Sequence, residues 1–528
     1  MRLTRILALV IPALTGGAPL SAQAVERTDV PERGVLRVTF DPRIMTWNDE
    51  FTDAGRTRLG FGLSGDLIGS RYIPALARLE QNVNLVLTQR DTLGVMPTAR
   101  ARADTRGFFG FVASLGAGLL SVRQERRTYP VTAELGVTRN LSLSVMVPIV
   151  RVATRSALRL QHVGNLGLNP RMQQAGAEAA YQTFFTEFDS TLKRFDQNIT
   201  AGMYGCAGNT ACPARDSLAQ WRAIYDALHG TAYGLAPFMP LDSSAAGRGI
   251  DTTVARIERD MVSAFGVAGF SSSFLLPTDT LTSDLIAAAI VDSATGFGYN
   301  FIPFRTSHHY GLGDVEVGAK YRFLNGSHYA AAVKAIVRLP TAQRDSADDL
   351  FGVPVGDHLT DIEGQLTQEL TAGPLWLNVA VRAGTQRPGT QVRRVAPPDA
   401  FLVPAAATAN LAWDPGDYAG IDVAPLVRFA PEFAAGFTVG YWTKARDRYA
   451  FMSSQDSVAL ATRLGAPTSA SVLEDGTAER RLRLGFTATY HAPAIEGGFS
   501  IEQTVSGVGR VPAVTVYRLV MRVRRKLF

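Results

Sequence analysis

The chain is short of most features that mark a functional class. It has only two cysteines in 528 residues, six positions apart, so a C-x-x-C metal or redox pair is absent. No window holds the ~18 consecutive apolar residues that a bilayer-spanning helix requires. The 49 glycines and 27 prolines follow no three-residue period, so a multi-helix membrane protein and collagen are both excluded. Neither sign of charge dominates: 53 Lys plus Arg face 47 Asp plus Glu, the net of +6 is spread along the chain, and no nucleic-acid partner is expected. G-x-S-x-G, H-E-x-x-H and P-loop patterns are missing, so neither catalytic residues nor a bound cofactor or metal is expected. What is present is 46% apolar and 19% charged, the composition of an ordered protein.

The first residues point to a compartment. Arg2 and Arg5 precede the apolar run from Ile6 to Ile11, and Ala22-Gln23-Ala24 offers a small-x-small cleavage site. Residues 1–24 therefore read as a signal peptide cut after Ala24. The run is too short to stay as an anchor, and no cysteine near the site could carry a lipid. An exported chain meets an oxidising environment, so Cys206 and Cys212 are expected to form a disulfide that pins a small loop; the alternative is two reduced thiols.

The main signal is alternation. Val315, Val317, Ala319, Tyr321 and Phe323 are apolar, while Glu316, Lys320 and Arg322 hold the other phase. The turn Asn325-Gly326 follows, and then Ala331, Val333, Ala335, Val337 and Leu339 alternate with Lys334 and Arg338, which makes one amphipathic hairpin. The pattern returns around Arg382, around Arg481 and Arg483, and around Arg518, Arg522 and Arg524. A soluble sandwich and a membrane barrel both produce such strands. Strand lengths near the ~9 to 11 residues that cross a bilayer at a tilt, together with export and long loops alternating with tight turns, favour the barrel.

Turn parity gives a topology. Short connections at 138–140, 324–327, 371–374, 430–432 and 493–497 alternate with long ones at 155–307, 341–357, 386–417 and 446–478. About eleven strands follow from Tyr129 onward, and closure with both termini on one side demands an even total. The expectation is an all-β, closed antiparallel transmembrane barrel of about 12 strands, with 14 as the alternative. The missing strand is sought at 58–66, 83–90 or 108–120, the last being the best candidate. The chain thus divides into a signal peptide (1–24), N-terminal barrel strands (25–154), a helical extracellular insertion serving as cap or partial plug (155–307) and C-terminal barrel strands (308–528).

Within the insertion, Tyr181, Phe184, Phe185, Phe188, Leu192 and Phe195 recur at three- and four-residue steps, as do Trp221, Ile224, Tyr225 and Leu228, and again Val254, Ile257 and Met261. These are helices with one apolar face, packed on each other.

Two blocks resemble the outer-membrane barrels of the meta-pathway phenol-degradation and small-molecule transporter type. One runs from Glu134 through Val137, Thr138, Arg139 and Asn140 to Val147-Pro148. The other is Gly311-Leu312-Gly313-Asp314 with the strand to Phe323, closed by Leu339-Pro340-Thr341. The resemblance covers the barrel after Tyr129 and not the helical insertion. It implies an outer-membrane channel for small compounds, aromatic ones among them.

The charged phase then lines a lumen. Glu316, Lys320, Arg322, Lys334, Arg338, Arg382, Arg428, Arg481, Arg483, Arg518 and Arg522 are the expected pore-lining residues, and an excess of cations in a narrow pore favours anions. The competing reading is that Arg and Glu on adjacent strands pair and stiffen the wall. Expected partners are outer-membrane lipid, the barrel-assembly machinery and a small-molecule solute. The alternatives are a closed structural or adhesive barrel and, more remotely, a lipid hydrolase using His358 or His491. His308-His309 reads as a loop pair and not as metal ligands.

Overall fold

The structure is a computed structural model that describes residues 26–88, 110–208, 212–267, 271–300, 306–430, 432–491 and 495–527. The signal peptide lies outside the described residues.

Fourteen segments form one sheet. In chain order they are β1 (Val35–Phe40), β2 (Arg43–Trp47), β3 (Gly116–Gly136), β4 (Leu141–Val163), β5 (Thr306–Leu312), β6 (Val315–Asn325), β7 (Tyr329–Leu339), β8 (Asp361–Ala372), β9 (Leu375–Gln386), β10 (Tyr418–Ala430), β11 (Phe433–Lys444), β12 (Glu479–His491), β13 (Ile495–Val508) and β14 (Thr515–Lys526). β1 and β2 are two halves of one stave, because both pair with β14 on one side and β3 on the other. β5 and β6 likewise share one stave beside β4. The sheet closes as a barrel of twelve antiparallel staves, a closure that leaves no unpaired edge in lipid.

The N-terminal stave is where expectation and structure part. It runs from Val35 to Trp47, and none of the three expected segments supplies it. Val83 lies in helix α1 (Pro74–Thr88), Phe61–Leu63 is one 3₁₀ turn, and β3 starts only at Gly116. The alternation of Leu36, Val38 and Phe40 with Arg37 and Thr39 is present, but Asp41-Pro42 breaks it into pieces of six and five residues, each well short of the ~9 to 11 residues sought for a membrane-crossing strand.

The outer face answers the question that alternation left open. Leu143, Val145, Ile149, Val317, Tyr321, Phe323, Val333, Ile362, Val381, Ile421, Val439, Leu484, Phe486, Leu519, Met521 and Val523 are all exposed. They form an apolar belt around the cylinder instead of stacking in a core, as lipid contact requires.

β3 and β4 are 21 and 23 residues long, about twice what the belt needs. Their ladder continues from Gly116 paired with Val163 down to Gly136 paired with Ser142, so strand structure persists to Val163, beyond the expected start of the insertion at 155. Above the belt their inner residues Leu120, Val122 and Leu158 join a helical cap. The cap comprises α1, α2 (Ala177–Thr200), α3 (Pro213–Ala232), α4 (Ala245–Ser263) and α5 (Ser283–Val291). Tyr181, Phe184, Phe188, Leu192 and Phe195 of α2 are buried along one face, and Trp221, Ile224 and Leu228 of α3 lie in the same cluster. Cys206 and Cys212 are disulfide-bonded and buried, and Cys212 caps the N-terminus of α3.

Candidate functional site: the lumen

Alternation fixes which side chains face inward, and burial shows that inward means packed. Lys320, Arg338, Arg382, Arg481, Arg483 and Arg518 are each less than 10% exposed. Charges removed from water need partners close by, and the upper lumen supplies them. The guanidinium of Arg338 donates to Glu316 at 2.8 Å, Asp361 at 3.1 Å, Glu363 at 2.7 Å and the hydroxyl of Tyr418 at 2.7 Å. Arg382 and Arg483 share Asp422, with Arg483 at 2.9 Å, and Arg483 also reaches Glu502 at 3.3 Å. Arg518 binds Asp41 through Nε at 2.6 Å, while Arg522 stands 3.4 Å from Glu496.

The other expected residues have different surroundings. Arg481 stacks on Trp442, 3.8 Å from the ring centroid, and Arg428 lies 5.1 Å from the centroid of Trp376. Lys334 stands directly opposite Lys320 on the neighbouring stave. Among the described residues Arg322, Lys334, Arg428 and Arg481 carry no ion pair. Like charges opposed across a ladder repel, and the Lys320–Lys334 pair is relieved by a segment that the alternation could not reveal.

That segment is residues 26–31, which enters the barrel from the short-turn end. Lys320 donates to the carbonyls of Arg27 and Asp29, and the carboxylate of Glu26 lies within electrostatic reach of Lys334 and Lys320. Thr28 N donates to Glu369 at 2.8 Å, and Asn378 of β9 donates to the carbonyl of Glu26. Asp29 meanwhile holds Arg37 of β1 at 2.7 Å and Arg524 of β14 at 2.8 Å. β1 and β9 are diametrically opposite in the twelve-stave ring, so the segment forms a strap across the full width of the lumen. A cavity of about 110 Å³ lies beside it, lined by Glu26, Lys320, Lys334, Gln365, Thr367 and Arg522 among others.

The outer mouth is narrowed as well. The loop after β7 folds inward, where the carbonyl of Phe351 accepts from Thr154 at 3.3 Å and that of Val355 accepts from Arg126 at 2.8 Å. Val353 and Val355 pack on Met45, Trp47, Val150, Val152 and Val516. The Gly-Leu-Gly-Asp block explains how the loop is held. A Cβ on Gly313 would sit 3.0 Å from Pro148, and the carboxylate of Asp314 accepts from the amides of Ala342 at 3.0 Å and Asp357 at 2.9 Å. Further out, a vestibule of about 420 Å³ is bordered by Arg393, Arg394, Trp413, Lys444, Tyr449 and Arg510. Asp349 borders it too, 3.3 Å from His309, and burial pushes its carboxyl above the usual range against the pull of that imidazole. Among the described residues no group of three or more potential metal ligands occurs.

Sequence reasoning missed Asp29, Arg37, Asp41, Glu134, Asp422, Glu496 and Glu502. Glu134, Asp422 and Glu502 lie on the inward phase of strands already recognised, so the signal was there, whereas Glu496 falls in the connection expected at 493–497 and the strand in fact starts at Ile495. The strap has no period and gave none.

The geometry defines the class: a closed transmembrane-type β-barrel with a charged, strapped lumen. No family model matches the sequence, and no curated protein matches it. Among solved structures the chain is similar to an outer-membrane channel from Pseudomonas putida F1 (TM-score 0.39, 6% identity, covering 94% of this chain and 97% of that one). It is also similar to the toluene transporter of Ralstonia pickettii (TM-score 0.27, 8% identity, 94% and 90%) and to the translocator domain of an autotransporter from Neisseria meningitidis (TM-score 0.27, 6% identity, 94% and 91%).

Proposed function

We propose that the protein is an outer-membrane channel that lets small solutes diffuse through the barrel, with a preference for anions and, among them, aromatic carboxylates. One observation carries the reading: the lumen contains buried polar atoms with no protein partner. Nε of Arg382, Arg481 and Arg483, Oγ1 of Thr438, Oγ of Ser500 and Oδ1 of Asn378 are among them. Such atoms are satisfied by water or a ligand, so the interior is a wet path and not a sealed core. The anion preference rests on Arg322, Lys334, Arg428 and Arg481, which make no ion pair among the described residues, Glu26 and Glu479 being the acidic neighbours of Lys334 and Arg481. The indoles of Trp376 and Trp442 lie against Arg428 and Arg481, so the wall beside two of these cations is aromatic, which suits an aromatic ring carrying a negative charge.

The second reading is a closed structural or adhesive barrel. It is favoured by the strap, which spans the lumen at one end while the loop after β7 fills part of the other. Planar-bilayer recording separates the two. The wild-type protein should conduct weakly and prefer anions by reversal potential in a salt gradient. A variant that keeps the cleavage site but lacks residues 26–31 should conduct several-fold more. Current only in the deletion variant supports the closed barrel, whereas cation preference, or silence in both, defeats the channel.

A further inference from the structure

The outer wall carries a charged patch that neither the lumen nor the cap uses. On β4 the outward phase reads Leu141, Leu143, Val145, Val147 and Ile149, and then changes to Arg151, Arg155 and Arg159. On β3 the same change occurs going up from Val131 and Tyr129 to Arg127 and Arg123. The register places Arg127 directly opposite Arg151 and Arg123 directly opposite Arg155. Two opposed arginine pairs on neighbouring strands cost stability in isolation. Glu125 pairs with Arg127, but Arg123, Arg155 and Arg159 are exposed and have no ion pair among the described residues. Among the described residues no other two staves present opposed arginines on the lipid side.

The position is as telling as the charge. The patch begins one outward step above the apolar belt, on the long-loop side, with Arg127 and Arg151 at the depth of the outer headgroups and Arg123, Arg155 and Arg159 rising beyond them. Tyr310 stands beside them, 67% exposed, with Arg151 5.4 Å from its ring centroid, as aromatic residues do at a membrane interface. Guanidinium groups bind phosphate oxygens in bidentate fashion, and clustered basic residues at a membrane surface recognise anionic headgroups. We propose that this face of the β3–β4 hairpin is a docking site for the phosphorylated headgroup of an outer-leaflet lipid. The site depends on the barrel's standing in a membrane and not on conduction through it.

Native mass spectrometry of the full chain in a neutral detergent, titrated with bis-phosphorylated lipid A, tests the site. Wild type should retain the lipid, and the triple variant Arg123→Gln, Arg155→Gln, Arg159→Gln should bind it at least tenfold more weakly. Arg480→Gln, an exposed outward arginine on β12, should leave binding unchanged. Heat-modifiable gel mobility confirms the fold, and if the triple variant does not assemble, Arg155→Gln alone should weaken binding about threefold. Equal retention by the triple variant, or equal binding of the dephosphorylated lipid, overturns the proposal. Competition by inorganic phosphate at matching concentration also overturns it, by showing a free-anion site. No current is read, so failure of the channel leaves this result standing, and the reverse holds.

Discussion

The lumen and the cap are buried to a similar degree by opposite means. Inside the barrel the hidden side chains are Arg338, Arg382, Arg483 and Arg518, each matched to a carboxylate. In the cap they are Phe184, Phe188, Phe195 and Trp221, packed edge to face and tilted at centroid distances of 5.3 to 5.8 Å. Apolar packing uses up its surface completely, because dispersion contacts leave nothing to bond with. Ion pairing does not: a guanidinium has five donors, and in the wall several stay unmatched, whereas among the described residues of α1 to α5 the example is a single hydroxyl, that of Thr253. The residual hydrogen-bonding capacity sits where a solute would pass.

The contrast breaks most sharply at Arg338. Arg338→Met leaves Glu316, Asp361 and Glu363 facing one another, and a buried charge cluster that loses its partner costs about 3–5 kcal/mol. The expected result is a large drop in the temperature at which the barrel loses its fast gel mobility. Phe188→Ala removes a fully buried ring from the cap, at about 3–5 kcal/mol, and should be read by near-ultraviolet dichroism with the gel transition unmoved. If Arg338→Met instead leaves the gel transition where it was, the wall is not held by its ion pairs. A smaller effect is expected from Cys206→Ser together with Cys212→Ser. The bridge closes a loop over a sequence separation of only 6, worth about 2 kcal/mol in a chain-entropy account, and the loss should appear as a cap that melts earlier in urea.

How much of this the sequence disclosed follows from how each region is built. Staves β6 to β14 were legible because one face meets lipid and the other meets charge, so period two is enforced at nearly every position. The helices α2, α3 and α4 were legible for the matching reason, one apolar face against a common core. The stave of β1 and β2 was not, because Asp41 turns inward to bind Arg518 and Pro42 removes a ladder donor. Arg338 was named as lumenal on phase alone, but its four partners come from β6, β8 and β10, and pairing across staves depends on register, which a period cannot supply. The strap was invisible, since residues 26–31 are held by carbonyls and single side chains with no repeat to read.

The mildest change tests whether the two regions are separate at all. Ser244 caps α4, with its hydroxyl accepting from Gly247 N at 3.0 Å while donating to the carbonyl of Leu241 at 2.6 Å. Helix termini need such partners because their first amides have none inside the helix, whereas each stave of a closed barrel satisfies its amides on two neighbours. Ser244→Ala should therefore cost about 1 kcal/mol and Ser244→Gly only a few tenths. Both losses should be confined to the cap's urea transition. α4 touches α1, and its Ile250, Val254 and Ile257 are buried in the cap's apolar cluster, so the gel transition of the barrel should not move. A matching shift in that transition would mean that cap and wall unfold as one cooperative body. The dry packing above and the charged packing below would then be two faces of a single core.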